Sequence, residues 1–406
     1  MIEANLIAHS INGKGKEIGS FVLRYPRMIH SEVMTHRLFT RSAASSRAIP
    51  SKTLLKQVIS DPFIPVAFQK NHKGMQGNEY HDPKELFSFR AFISEVEAMF
   101  AEDEFNEFIN NLYTIYLGEE KTLSDWWLYA RDRMVECSMI MTAFGMSKQI
   151  TNRILEPFQW YTTILTATEF DNFFKLRCPQ YNVANGIFKS RKDALSVYSG
   201  IELGIVGNSL IDWLECSTSG AEIHIALLAE AMYDALKEST PKVLKDGEWH
   251  VPFGGKIDED RLFETWHDMY GEDFENHIAG TPETREMSFD LEQVERTEFE
   301  RVMEWMKVKI ATARCARVSY LNFEGKDDYE SDIKLHDRLA NMKHWSPFEH
   351  CAKAMSDFDY ESNVRGILVG ADYERVMESD SHKGWAGNFN GFVQYRKSFI
   401  GEDGLQ

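Results

Sequence analysis

Apolar and polar positions divide this chain into a strand-rich start, a long helical middle and a mixed end. Residues 4–12 and 17–25 read as two strands, and the Asn12-Gly13-Lys14-Gly15 turn between them predicts a hairpin. Pro26 punctuates, and Met28 to Leu38 is expected to start a helix. Residues 51–60 read as helix, Asp61-Pro62-Phe63-Ile64-Pro65 as a break, and 62–85 as an exposed loop. Three long stretches, at about 84–117, 121–143 and 147–176, space their apolar residues by three and four, which predicts helices. Gly200, Gly204, Gly207 and Gly220 give 178–220 the look of an insertion. Helices are expected again at 221–238, 291–311 and about 329–342. Between them, 243–290 reads as loops with one short helix, and 314–320 as a strand or turn. At least one strand is expected within 350–406. The fold class is therefore α+β with helix in the majority.

Bulk composition bounds this picture without redrawing it. A chain of 406 residues can bury a substantial core and hold more than one domain, or one domain with large insertions. The expected division is 1–240, with 178–220 inserted, then a linker or insert at 241–310, then 311–406. No apolar run approaches the roughly 20 residues that span a bilayer, and Met1-Ile2-Glu3-Ala4-Asn5 lacks a signal-peptide pattern. The five cysteines, Cys137, Cys178, Cys216, Cys315 and Cys351, are odd in number and widely spaced, with no C-x-x-C. That fits reduced thiols in a cytoplasmic compartment and argues against a disulfide framework or structural zinc. Cys178, beside Arg177, is the one thiol worth testing for reactivity. A net charge of −18 makes duplex nucleic acid a poor partner, whereas a local arginine pocket can still draw in a small anion.

Such a pocket is suggested by Glu32 to Pro50. Within it, His36 to Arg47 holds three arginines, a histidine and three serines in twelve residues. Guanidinium forks suit phosphate oxygens, and serine hydroxyls with free amides can complete a cradle. A solvated turn between a strand and a helix would have a similar composition. Four further segments carry related chemistry. They are Arg153 to Arg177, Ala221 to Ala229, Ala313 to Tyr320, and His344-Trp345-Ser346-Pro347-Phe348-Glu349-His350. His344 and His350 have no third ligand at a suitable spacing, so no metal site is expected.

Taken together, these segments resemble the flavin-dependent thymidylate synthases, the ThyX family. The family's R-H-R, seven residues, then S, stands here as Thr35-His36-Arg37, seven residues, Ser45. Its R-x-x-L-P…L-R segment is matched by Arg153 to Arg177, and its A-Q-x-E-I by Ala221 to Ile223. Its R-V-S-[YF] is Arg317 to Tyr320, and its H-x-[ST]-P-F-E-H is His344 to His350. The matched segments cover about half of the chain. Their order is permuted, because the last two precede R-H-R in the family and follow everything else here, as in a rejoined phage-type homologue.

The resemblance implies a helix-rich fold with a small, mostly antiparallel sheet flanked by long helices, and a homotetramer with active sites shared between subunits. It implies reductive methylation of dUMP to dTMP, with FAD as cofactor and NADPH and methylenetetrahydrofolate as co-substrates. On that mapping Arg177 and Ser45 are catalytic. Glu32, Ser45, Ser46, Arg47, Arg153 and Arg177 contact the nucleotide. His36, Arg37, Asn172, Ser319, Ser346 and Glu349 contact FAD.

Four departures touch the same site. Thr35 stands for the first arginine of R-H-R, Glu32 for a glutamine, Ala43 for a glutamate and Ala48 for a tyrosine. Glutamate accepts hydrogen bonds where glutamine can also donate, so another pyrimidine nucleotide such as dCMP is an alternative substrate. A catalytically silent nucleotide- or flavin-binding protein is the alternative from another class. Gly387 to Lys397, with Gln394 and Arg396, reads as a degenerate second Q-x-x-R-H-R entry that could supply the glutamine and cation missing from the first. A terminal strand with a basic edge explains it equally.

Overall fold

A computed structural model describes residues 1–73, 77–88, 98–100, 105–116, 120–198, 209–270, 291–318, 328–363 and 382–399. They form an α+β fold around a small, mostly antiparallel sheet. The hairpin is present as β1 (Glu3–Asn12) and β2 (Glu17–Pro26). Its turn closes through Asn12, whose side-chain oxygen accepts the amides of Lys14 and Lys16 at 2.9 and 3.0 Å. Gly15 sits there at φ 72°, a conformation that side chains resist. Three more strands complete the sheet: β3 (Thr40–Ala43), β4 (Trp160–Ala167) and β5 (Lys242–Leu244). The order is β5-β1-β2-β4-β3, with only β5 running parallel to its neighbour.

Strand β4 corrects the helix expected over 147–176. Helical turns occupy Lys148–Thr151 and Arg153–Phe158, the second carrying Pro157, and helix returns only at Asp171–Arg177. From Trp160 the run Trp-Tyr-Thr-Thr-Ile-Leu-Thr is aromatic and β-branched, which suits a pleated surface. It pairs with β2 along its whole length, from Gly19↔Ala167 to Pro26↔Trp160. Cross-strand pairing of that extent outweighs spacing that fits a helix. Near the expected helix of 84–117, Leu86–Ser88 is instead a strand paired with Glu120–Thr122, and helix is described from Asn106 to Tyr116.

Helices cover one face of the sheet. In chain order the ones that matter are α1 (His30–Met34), α2 (Ser51–Ser60), α3 (Leu123–Ala143), α4 (Asp171–Arg177) and α5 (Ile223–Glu238). Phe21, Leu23, Tyr25, Leu165 and Ala167 pack on Val33 of α1, Phe173 and Phe174 of α4, and Ile225, Leu228 and Met232 of α5. Side chains alternate along a strand, so Ile18, Val22 and Ile164 face the other way. They meet Leu244, Phe253, Cys315, Val318, Ala352, Phe389 and Phe392. Residues from both ends of the sequence therefore close over one sheet, and widely separated motifs share its edge.

Beyond the sheet on that side stand α6 (Glu259–Tyr270), α7 (Leu291–Arg317), which reaches the sheet through Cys315, and α8 (Tyr329–Asn341). Helix α7 runs through to Arg317, where a strand or turn was expected. Asp332 of α8, fully buried, accepts from Arg314 at 3.3 Å and Arg317 at 2.6 Å, which anchors that last turn. Within the 178–220 segment, Arg191 donates to buried Glu230 of α5 from Nε at 3.0 Å and Nη2 at 3.1 Å. The segment is thereby tied to the main core. No helix among the described residues is long and apolar enough to cross a membrane.

Candidate functional site

Beyond β3 the chain makes one tight turn, with the amides of Ala48 and Ile49 donating to Ser45 O at 2.9 and 3.0 Å. Asn152 fixes that turn from the other strand's approach, donating to Ser46 O at 2.8 Å and Ile49 O at 3.1 Å. The result is an open pocket of about 500 Å³ lined by Arg27, Ala43, Ala44, Ser45, Ser46, Arg47, Arg153, Glu156 and Tyr161. Ser45, Ser46, Arg47 and Arg153, expected from sequence to hold a phosphate, meet here across a separation of more than 100 positions.

Their electrostatics differ from those of the surrounding ion pairs. Arg27 lies 3.6 Å from Glu156 and stacks over Tyr161, its guanidinium carbon 4.6 Å from the ring centre. Glu156 also accepts from Ser46 Oγ at 3.0 Å, so it holds that hydroxyl in place. Arg47 and Arg153 are exposed and have no carboxylate partner among the described residues. Two such guanidiniums beside the Ser45 hydroxyl form a donor set suited to a phosphate group, while the Ser46 hydroxyl gives its proton to Glu156. Arg41, the third arginine of the segment, is engaged elsewhere: it donates to Val33 O at 2.8 Å and His36 O at 3.0 Å.

A second cluster lies where α1 ends and α4 ends. Arg177, the last residue of α4, donates from Nε to His36 Nε2 at 3.1 Å and from Nη2 to Thr35 Oγ1 at 3.4 Å. His36 packs edge-on against Phe173, ring centres 4.8 Å apart. Burial first, then Arg177 and Arg41, lower its pKa to about 4. A neutral ring with an accepting nitrogen can hold the guanidinium; an imidazolium would repel it. Thr35 serves there as a neutral acceptor.

A third cluster answers a question the sequence left open, whether the two motif sets meet within one chain. They do, along β3. Ser42 and Ser346 hydroxyls are 2.9 Å apart, and Thr40 Oγ1 donates to Glu349 at 3.5 Å. Glu349 is ion-paired with Arg396. Gln394 donates to Thr40 Oγ1 at 3.1 Å, Glu349 O at 3.4 Å and Asn388 Oδ1 at 3.1 Å. The Gln394–Arg396 segment thus joins the Thr40–Glu349 end of the site rather than the arginine pocket.

Other candidates are more dispersed. Asn172 is exposed in the first turn of α4, and Arg37 is exposed between α1 and β3. Glu32 lies in α1, its carboxylate accepting from Ser31 at 3.0 Å, away from the pocket lining. Ser319 lies outside the described residues. Cys178 is corrected as a reactive thiol: it is fully buried, and burial pushes its pKa up to about 12. No group of three or more His, Cys, Asp or Glu among the described residues could hold a metal ion.

Sequence reasoning missed Arg27, Glu156 and Tyr161. The last two sit in or beside the run mistaken for helix, and the β-branched content from Trp160 onward was the signal that would have found the strand. Compared with protein-family models, curated proteins and solved structures, the chain finds no match.

Proposed function

We propose that this chain is a flavin-dependent enzyme that methylates a pyrimidine deoxynucleotide, most simply dUMP to dTMP. The observation that carries the reading is the pair of guanidiniums, Arg47 and Arg153, with no carboxylate partner among the described residues, beside Ser45 and Ser46 in an open pocket. In a protein of net charge −18, such a cluster is a local attractor for a nucleotide phosphate. Its motif segments are those that resemble the ThyX family.

In this reading Ser45, Arg47 and Arg153 hold the phosphate, and Ser46 joins them only when its hydroxyl turns from Glu156 to the ligand. Arg177, steadied by neutral His36 and by Thr35, lies against the carbonyl edge of the pyrimidine and stabilises negative charge developing there. His36, Arg37, Asn172, Ser319, Ser346 and Glu349 would line the flavin. Hydroxyls, a carboxylate and guanidiniums are donors and acceptors that fit an isoalloxazine's polar edge and a pyrophosphate. FAD, when bound, would carry the hydride from NADPH to the one-carbon unit supplied by methylenetetrahydrofolate. The same reading implies a homo-oligomer working in the cytoplasm.

Purified protein incubated with FAD tests the flavin part. The expected result is retained yellow absorbance that bleaches on reduction, with rescue of a thymidine auxotroph by the gene. A protein that stays colourless after reconstitution, and does not rescue, contradicts it. Bleachable flavin without rescue, together with tighter binding of dCMP than dUMP, moves the substrate to another pyrimidine.

A further inference from the structure

The face of the sheet opposite α5 carries a line of polar groups that the proposed chemistry does not use. His250 Nδ1 lies 2.9 Å from Ser10 Oγ, and His250 Nε2 lies 2.8 Å from Ser20 Oγ. Ser20 Oγ meets Thr166 Oγ1 at 2.7 Å, and Thr166 Oγ1 meets His350 Nδ1 at 3.0 Å. His350 Nε2 lies 3.0 Å from Ser42 Oγ, which is 2.9 Å from Ser346 Oγ. The line crosses strands β1, β2, β4 and β3 in spatial order. Ser10, Ser20, Thr166, His250, His350 and Ser42 are all at most 6 % exposed. Ser346 alone reaches solvent, at the edge where Thr40 and Glu349 meet.

Proton bookkeeping makes this line more than a set of separate bonds. Each hydroxyl has one proton to donate, and each neutral imidazole has one protonated nitrogen. The seven groups therefore bring seven protons to six contacts. If Ser346 points its proton at a ligand, Ser42 must donate to Ser346 and His350 to Ser42 from Nε2. Thr166 then donates to His350, Ser20 to Thr166, His250 to Ser20 from Nε2, and Ser10 to His250. If Ser346 donates inward to Ser42, the unbroken line reverses and both rings carry the proton on Nδ1.

We propose that these groups act as one directional hydrogen-bonded chain, in which His250, Ser20, Thr166 and His350 are positioning residues that fix whether Ser346 donates to or accepts from the bound ligand. Rotating Ser346 alone would leave a buried contact with no proton, or with two facing each other, at a cost that burial raises. The ligand class is the polar edge of a flavin, so the inference rests on the flavin reading for its ligand. Continuity of the chain does not rest on it.

Two measurements test it. Long-range proton–nitrogen correlation spectra of protein carrying ¹⁵N-histidine report the tautomer of each ring. The chain requires the same protonated nitrogen on His250 and His350. Opposite tautomers, Nε2 on His250 and Nδ1 on His350, mean a break at Ser20 or Thr166 and overturn the proposal. The second is a double-mutant cycle on FAD affinity, read by flavin fluorescence quenching. Ser20→Ala should weaken FAD about fivefold, and the effect should vanish in a Ser346→Ala background. Equal weakening in both backgrounds overturns the positioning role, since a merely structural effect of Ser20 would persist without Ser346. Wild-type protein that takes up no FAD refutes the flavin reading and the ligand half of the proposal. The tautomers then decide the chain by themselves.

Discussion

The turn at Ser45–Arg47 and the turn at Ser346–Glu349 flank the same short strand, β3, yet they treat charge in opposite ways. Arg47 and Arg153 face an open pocket with no carboxylate against them among the described residues. Glu349, by contrast, is paired with Arg396, and its neighbourhood is filled by Thr40, Gln394 and Asn388. An unpaired exposed cation costs the fold little, because water solvates it, and it remains available to an anion. A saturated, half-buried cluster fixes geometry and has less capacity left for a ligand. The first region offers free charge to an anion, and the second offers a fixed edge whose exposed hydroxyl is Ser346.

That contrast can be broken most forcefully with acid. Burial lowers the pKa of His250 and His350 to about 3 and helps lower His30 and His36 to about 4, against an ordinary 6.5. All four are neutral in the folded protein, while the unfolded chain takes up their protons below pH 6.5. Stability is therefore full above 6.5 and falls as pH drops from there through about 3. Between pH 7 and pH 5 each ring kept neutral costs about 2 kcal/mol, so the two fully buried rings alone lose on the order of 4 kcal/mol. Denaturant titrations at both pH values check it; equal midpoints would contradict the buried neutral rings.

Removing both pocket arginines comes next. The Arg47→Ala, Arg153→Ala double variant should raise the Kd for dUMP by roughly 100-fold, as expected for two charge-assisted contacts. Its unfolding free energy should stay within about 0.5 kcal/mol of the parent. Calorimetric titration and denaturant melts on the same samples separate the two quantities. A destabilised protein with unchanged affinity would invert the comparison.

His350→Leu should do the reverse. It takes one of two hydrogen-bond partners from each of the buried hydroxyls of Thr166 and Ser42, which keep Ser20 and Ser346, at a cost of about 2 kcal/mol. The affinity for dUMP should stay within about twofold of the parent. A large loss of dUMP binding would join the two regions into one functional unit. The smallest effect is ionic: raising KCl from about 50 to 300 mM should weaken dUMP binding a few-fold, because the pocket is open to screening. Salt-independent binding would argue that the arginines are not the contact.

How much of this could be read in the sequence depended on distance along the chain. The Ser45-Ser46-Arg47 run is local, so its donor chemistry was visible without a fold, and Arg153 followed from motif spacing. Helix α5 and the first hairpin were also legible, because apolar periodicity and an Asn-Gly turn are local signals. Strand β4 was not, since mixed spacing fits helix and strand alike until β2 and β3 claim its edges. Arg27 was passed over because nothing near Pro26 signals that β2 ends at the pocket. The buried chain was out of reach altogether. Ser20 and His250 are 230 residues apart, and a serine on a strand gives no sign of a distant partner. Residues from both ends of the chain close over the same sheet, an arrangement no local signal announces.

In the proposed function the arginine pocket holds a nucleotide whose ring Arg177 then activates. Protein loaded with FAD and supplied with NADPH, methylenetetrahydrofolate and dUMP tests it directly, with product read by chromatography. The account predicts dTMP from the parent protein and none from a folded Arg177→Ala variant. Equal product from both, or no methylated nucleotide from the parent with dUMP or dCMP, would contradict it.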